Sequence, residues 1–418
     1  MNPLRRFALI SLILSLPVQV FAARRTTNGV ETNNLNATSV TEWSTSSGGT
    51  PTVVTTPVHS GTYALEINPS ASTEWMRFTQ TADTAGTYWT RFYFRCSALP
   101  GANTRIYTNA STTTGTNNHQ LVLNTTGTLV LTNVPTAGTI TSTTTLAANT
   151  WYSIGIKHLL SDTVGTLELF INGTSEGTPI ATGDTLNLNV GRWFIGVESS
   201  GTITAYYDDI IVNDETGSAP FNDAPTWVSK LAMLKPTSDN TVTFTKTGAN
   251  CSATTITDCV DDEPGLPDET SGYAACLTCT SKVDQLNSTT LPAEVTSDAD
   301  MISVDVRARM GGLSTTGTNT GRLKLWDESA AITNGPTVSV CDVNGWRDPG
   351  DSTAAGWVGF AFDLGTRTKA NVDTFDWGYE AVSTNQTCAV TALWAMVEWI
   401  EAAAPGTSTG PGWWGKVW

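Results

Sequence analysis

Tyr88-Trp89-Thr90-Arg91-Phe92-Tyr93-Phe94-Arg95-Cys96 is the most informative stretch of this chain. With the two-residue period of an extended strand, Tyr88, Thr90, Phe92, Phe94 and Cys96 share one face, and Trp89, Arg91, Tyr93 and Arg95 share the other. The first face reads as core. The strand before it sorts alike, with Met76 and Phe78 inward and Trp75 and Arg77 outward. If residues 82–86 close a hairpin, the outward residues of both strands merge into one surface. Trp and Tyr present flat apolar faces that stack on the C–H face of a pyranose, and Arg offers a fork of donors to hydroxyls or to a uronic carboxylate. The alternative is an ordinary sheet face whose aromatics are covered by the loop at 98–118 or by the second half of the chain.

Similar short alternating segments occur on both sides of this stretch: 63–67, 74–80, 120–132, 151–160, 165–171, 192–198 and 203–212. Turn residues separate nearly all of them, as at Asn124-Thr125-Thr126-Gly127 and Asn172-Gly173, which is the pattern of an antiparallel sandwich. Composition agrees. Charged residues are 14% of 418 and Gly numbers 36, so Lys, Glu, Gln and Arg, the good helix formers, are scarce. With 22 Lys and Arg against 38 Asp and Glu, the formal net charge is −16. Nothing in that balance attracts a phosphate backbone, so no nucleic acid partner is expected.

Arg5 and Arg6, the apolar run 7–20 and the small-residue site before Ala23 read as a secretory signal peptide over residues 1–22. Export follows, without distinguishing secretion, periplasm and cell surface, and no later stretch is long and apolar enough to span a membrane. The remainder divides into a sandwich over 23–217, a second sandwich over 218–402 and a Gly, Pro and Trp-rich tail over 403–418. Further strands are expected at 228–234, 242–246, 301–309, 322–327, 357–363, 377–381 and 389–400, with a long acidic loop at 258–269. The fold class is therefore all-β, two antiparallel β-sandwich (jelly-roll) domains after a signal peptide. Six cysteines fall in the second part, and an exported domain would join them as three bridges. Local proximity suggests Cys251 with Cys259 and Cys276 with Cys279, and elimination leaves Cys341 with Cys388. Cys96 stands alone in the first part.

The segments Gly61-Thr62-Tyr63-Ala64-Leu65, Trp151-Tyr152-Ser153-Ile154-Gly155-Ile156, 165–173 ending in Ile171-Asn172-Gly173, and 206–214 with Asp208-Asp209 resemble the laminin-G-like, concanavalin A-like lectin and glucanase jelly roll over residues 28–214. The second part is similar in pattern to jelly-roll domains of uncharacterised bacterial and phage-borne surface proteins. The first resemblance implies a structural calcium ion held by Glu31 and by Asp208 or Asp209. Alternation is compatible with this. Asp208 has the parity of Ile210 and Val212, and an inward carboxylate must be paired or bind a cation. Otherwise Asp208 caps backbone amides or pairs with Arg. Glucanases of the superfamily carry Glu-x-Asp-x-x-Glu, whose spacing sets two carboxylates about 5 Å apart on one strand face. No Glu-x-Asp occurs here.

His59, His119 and His158 form no HExxH or HxH pair, and neither GxSxG nor a P-loop is present. These residues point to an exported, non-catalytic carbohydrate-binding or adhesive protein. It would grip a polysaccharide or surface glycan through Trp75, Arg77, Trp89, Arg91, Tyr93 and Arg95, and stacking would make the binding insensitive to salt. A polysaccharide hydrolase or lyase, the lyase built from His119, Arg91 and Tyr93, is one alternative. A structural surface or virion-associated protein, its tail docked on a neighbour, is the other. Oligomeric state is not readable.

Overall fold

The computed structural model describes residues 24–28, 30–31, 43–45, 51–69, 73–83, 86–181, 183–186, 189–198, 203–215, 221, 223–247, 255–260, 273–277, 280–312, 320–327, 330–335, 345–347, 359–365, 367–383 and 387–402. The predicted signal peptide, the tail beyond residue 402, most of the acidic loop, and Cys251, Cys279 and Cys341 lie outside them.

The described residues are almost wholly strand, in four antiparallel sheets. Sheet A runs Thr174–Ile180, Thr166–Ile171, Tyr152–Leu160, Gly86–Cys96, Ala205–Asp214, Ala64–Ile67, Thr52–Val54, with Arg24–Asn28 also on Ala205–Asp214. Sheet B runs Thr139–Thr145, Thr128–Asn133, Asn117–Leu123, Thr104–Ala110, Val190–Val197, Glu74–Asp83, Trp43–Thr45. The two pack face to face, and one buried cluster joins Phe92, Phe94, Ile154, Ile156 and Tyr207 of sheet A to Phe78, Tyr107, Leu121, Leu131 and Trp193 of sheet B. Burying each such side chain stabilises by roughly 1.5–3 kcal/mol.

Two longer strands, Asp300–Gly312 and Thr387–Ile400, centre sheet C, with Lys230–Leu234, Tyr273–Leu277 and Gly359–Asp363 among their partners. Sheet D runs Pro236–Thr241, Thr280–Ser288, Asp376–Ser383, Thr320–Asp327, Ala330–Asn334. Trp377, Tyr379, Val390, Val397 and Trp399 belong to the core between C and D. The one α-helix among the described residues, Lys369–Val372, has four residues and a Thr368 capping box. The jelly-roll, all-β reading is therefore what the chain adopts.

Two expectations change. The loop foreseen at 98–118 contains Thr104–Ala110, an interior strand of sheet B. Its polar inward Asn109 is satisfied by the Asn118 amide at 2.9 Å, which hides a buried strand behind a turn-like composition. The hairpin expected between the Trp75 and Trp89 strands does not form. Glu74–Asp83 pairs with Val190–Val197 in sheet B, whereas Gly86–Cys96 pairs with Tyr152–Leu160 and Ala205–Asp214 in sheet A.

Candidate functional site

The crossing between sheets splits the predicted sugar-gripping surface. Met76 and Phe78 face Phe92 and Phe94 across one core, so the opposite sides of the two strands point away from each other. Trp75 and Arg77 leave the molecule through the outer face of sheet B. Trp89, Arg91, Tyr93 and Arg95 lie on the outer face of sheet A.

Most of that sheet A face is closed. Trp89, Arg91 and Tyr93 are 5%, 0% and 6% exposed, because the segment entering the second sandwich lies across them. The Arg91 guanidinium donates to the Ser229 carbonyl, to Ser229 Oγ at 2.7 Å and to the Asp209 carbonyl at 2.8 Å. Trp227 stacks on Phe170 with centroids 4.6 Å apart, and its ring lies 2.6 Å or less from where a Cβ on Gly155 would sit. Glycine there makes room for the tryptophan. His59 stacks on Tyr93, and burial pushes the Tyr93 hydroxyl up to about 12. Ile211, Leu231 and Met396 form a small apolar cluster between sheets A and C. Arg95 remains half-buried, its guanidinium reaching Asn149 Oδ1 at 3.2 Å. The surface expected around Trp89 is thus an interface, covered by the second half of the chain.

The His119, Arg91 and Tyr93 constellation also comes apart. His119 is 1% exposed on the inner side of sheet B, away from Arg91 and Tyr93 on the outer side of sheet A.

Glu31, Asp208 and Asp209 do come together. Asp209 adopts φ 47° and the register slips between Asp208 and Ile211, a bulge that turns Asp208 to the side of its partner Tyr93 instead of the core side of Ile210 and Val212. The inward placement read from alternation is corrected accordingly. Asp208 Oδ2 accepts from the His59 and Ser60 amides at 2.9 and 3.3 Å. Asp209 accepts from Ser60 Oγ at 2.6 Å and the Leu231 amide at 2.9 Å, and its other oxygen lies 2.6 Å from His59 Nδ1. Glu31 accepts from the Thr62 and Tyr63 amides at 2.9–3.1 Å. Amide capping, the alternative to a cation, is therefore present. Burial, with Asp209 and Glu294 nearby, still pushes Glu31 up to about 8. Burial and Asp209 raise Asp208 far above the usual carboxylate range. The donors are all oxygen, which suits a hard divalent cation. Even so, no three described His, Cys, Asp or Glu side chains stand in a metal-holding arrangement.

Trp75 and Arg77 find other neighbours on sheet B. Phe194 lies opposite Arg77, Thr108 opposite Phe194 and Gln120 opposite Thr108, so these side chains form a row across four strands. The Trp75 ring meets Phe194 edge-on at 6.3 Å, and the Arg105 guanidinium lies over it at 5.4 Å. Arg105 also donates to Gln120 Oε1 at 3.3 Å and pairs with Glu198. Gly196 stands beside Trp75, and a Cβ there would come within 2.6 Å of the indole. The Trp75 ring is buried, 7% exposed, under the Arg105 guanidinium, and half-buried Phe194, Arg77, Arg105, Gln120 and Arg192 surround it on this side of the sheet. Arg105, Gln120, Arg192 and Phe194 were not singled out from the sequence. The parity of Arg192 and Phe194 against Trp193, Ile195 and Val197 was legible, but the order of strands was not.

Three buried cysteines of the second part, Cys259, Cys276 and Cys388, are described, while each expected pairing includes one residue outside the described set. Cys96 is a free, buried thiol. No described helix is long and apolar enough to cross a membrane.

No protein-family model and no curated protein sequence matches this chain. Among solved structures it is similar to the cellulose-induced protein Cip1, at 18% identity and TM-score 0.36, over 45% of this chain and 96% of that one. Domain 4 of AbnA, a GH43 extracellular arabinanase from Geobacillus stearothermophilus in complex with arabinotriose, is similar over 47% of this chain and 95% of that one, at 13% identity and TM-score 0.34. A Bacillus subtilis protein of unknown function with a galectin-like fold is similar over 46% and 96%, at 12% identity and TM-score 0.33. The functional reading below rests on the side chains of the site.

Proposed function

We propose that this is an exported carbohydrate-binding protein whose ligand lies on the outer face of sheet B. The observation that carries the reading is the row Arg77, Phe194, Thr108, Gln120 beside Trp75 and Arg105. It brings apolar ring surface, planar amide and guanidinium donors onto one sheet face, which is the combination that a sugar ring and its hydroxyls require. The sheet A face is occupied by the second sandwich, so binding falls to sheet B. In affinity gels cast with a panel of neutral and acidic polysaccharides, the protein is expected to be retarded by at least one. Phe194→Ala should weaken that retardation about tenfold, the worth of one aromatic contact. Unaltered mobility on every polymer would refute the reading.

We also propose that calcium, on binding, draws Glu31, Asp208 and Asp209 into one ligand set that they do not form without it. The support is three buried, mutually repelling carboxylates whose nearest basic ring is His59. Binding to the native state alone stabilises it by about 2.7 kcal/mol at a hundredfold excess over Kd. The thermal midpoint at pH 7.5 should therefore rise on adding calcium to chelator-treated protein. An unchanged midpoint would leave the amide contacts as the whole account of these acids.

A further inference from the structure

We infer that the second sandwich carries a further binding site, on the outer face of sheet D, for a neutral polysaccharide chain. Alternation places it there. Leu323 and Leu325 enter the core, as do Trp377 and Tyr379, so Arg322, Lys324 and Trp326 of one strand and Asp376, Gly378 and Glu380 of the next leave on the opposite side. Register sets Trp326 beside Asp376, Lys324 beside Gly378 with Gln285 beyond it, and Arg322 beside Glu380. A Cβ at Gly378 would collide with the Asp284 carbonyl oxygen, so the strands approach this closely only over glycine. No side chain of that strand therefore stands between the two carboxylates, which are about 13 Å apart along the strand.

Each carboxylate is fixed through one oxygen and open through the other. Glu380 Oε2 accepts from Arg322 Nε at 2.8 Å and meets Lys324 Nζ at 3.1 Å. Burial opposes its charge, yet these two partners hold it below its usual value. Asp376 Oδ2 accepts from the Gln285 amide at 2.7 Å and the Asn240 amide at 2.5 Å. Glu380 Oε1, Asp376 Oδ1 and both terminal nitrogens of Arg322 have no partner among the described residues. These acceptors and donors are held in place before a ligand arrives, which lowers the ordering cost of binding. Lys324 extends to the Trp326 ring, 5.2 Å from its centroid, and half-buried Trp326 adds apolar surface beside Asp376. Charge selects the ligand. Arg322 and Lys324 balance Asp376 and Glu380, so this patch offers no net charge to an acidic or a basic polymer. Donors and acceptors side by side suit sugar hydroxyls, each of which both gives and accepts a hydrogen bond. The site lies in the other sandwich from sheet B and does not depend on it.

The test uses the full chain in affinity gels cast with hydroxyethylcellulose, xyloglucan, galactomannan, arabinan and, as an acidic comparison, polygalacturonate, at about 50 and 500 mM sodium chloride. The parent is expected to be retarded by at least one neutral polymer, equally at both salt concentrations. Trp326→Ala and Arg322→Gln, the second of which leaves Glu380 paired with Lys324, should each weaken that binding at least fivefold, with circular dichroism matching the parent. Combining either with Phe194→Ala separates the two faces. If Phe194→Ala binds like the parent while Trp326→Ala and Arg322→Gln do not, sheet D stands and the sheet B reading falls. Parental binding by both sheet D variants on every polymer overturns the sheet D site and leaves sheet B untouched. Binding through these residues that is confined to polygalacturonate, or that is lost at high salt, overturns the neutral assignment. Failure of the parent to bind any polymer overturns both sites.

Discussion

Truncating Glu398 to alanine is expected to destabilise the protein by about 3–5 kcal/mol, because it leaves a buried guanidinium without its counter-charge. Glu398 is fully buried and Arg24 is 3% exposed, and their charged groups meet at 2.7 Å. Ser229 Oγ donates to the other Glu398 oxygen at 2.5 Å, and Ser303 Oγ reaches the first at 3.2 Å. The neighbouring Arg24 and Arg91 guanidiniums hold the carboxyl below its usual value despite its burial. This cluster ties the first strand of sheet A to the central strand of sheet C, so its loss should uncouple the two sandwiches. Chemical unfolding is expected to change from one transition to two. The double variant Arg24→Met/Glu398→Met, which removes both charges and keeps the volume, should recover most of the loss. A double variant as unstable as Glu398→Ala would show that packing, and not the orphaned charge, sets the cost.

The second large effect comes from two histidines in the first core. His119 and His158 approach from opposite sheets with ring centroids 4.5 Å apart. His119 has Tyr107 Oη at 3.4 Å, whereas neither ring nitrogen of His158 has a hydrogen-bond partner. Burial pushes His119 down to about 3 and His158 well below its ordinary value. Both are therefore neutral in the folded state, and below pH 6.5 the unfolded chain binds more protons. Stability is lost as pH falls, by about 2 kcal/mol per histidine at pH 5. Glu31 and Asp208, raised in the fold, act in the opposite sense over the same range, so the measurement is a comparison of variant with parent at each pH. His158→Leu removes an unsatisfied buried polar ring and one of the two titrations. It should stabilise the protein by about 1–3 kcal/mol at pH 7.5 and by about 2 kcal/mol more at pH 5. Denaturant midpoints at the two pH values check this. A variant less stable than the parent at both, with an unchanged pH slope, would mean that the ring is satisfied in the folded protein.

Alternation alone located most strands and sorted their sides. Residues 87–96 and 192–198 lie within a residue or two of the observed strands, and Phe92, Phe94, Trp193 and Ile195 are in the core as read. The strands that went unread, such as Thr104–Ala110 and Thr280–Ser288, bury polar groups whose partners lie on other strands. Asn109 depends on Asn118, and Asp284 on Tyr379 Oη and the Thr243 and Phe244 amides. Local composition could not disclose those partners.

The amino-acid sequence by itself determined that this is a layered β protein and, in the regular strands it located, which side chains leave the sheet, because the two-residue period of an extended backbone is a local property. Tertiary structure decided which outward faces stay open. Trp75 and Trp89 are fourteen positions apart and belong to opposite sheets. Trp227 closes one of those faces over Gly155, and Asp209 turns the backbone at a bulge. Each outcome depends on which distant strand lies alongside, and pairing between distant segments is fixed by the packing of the whole core.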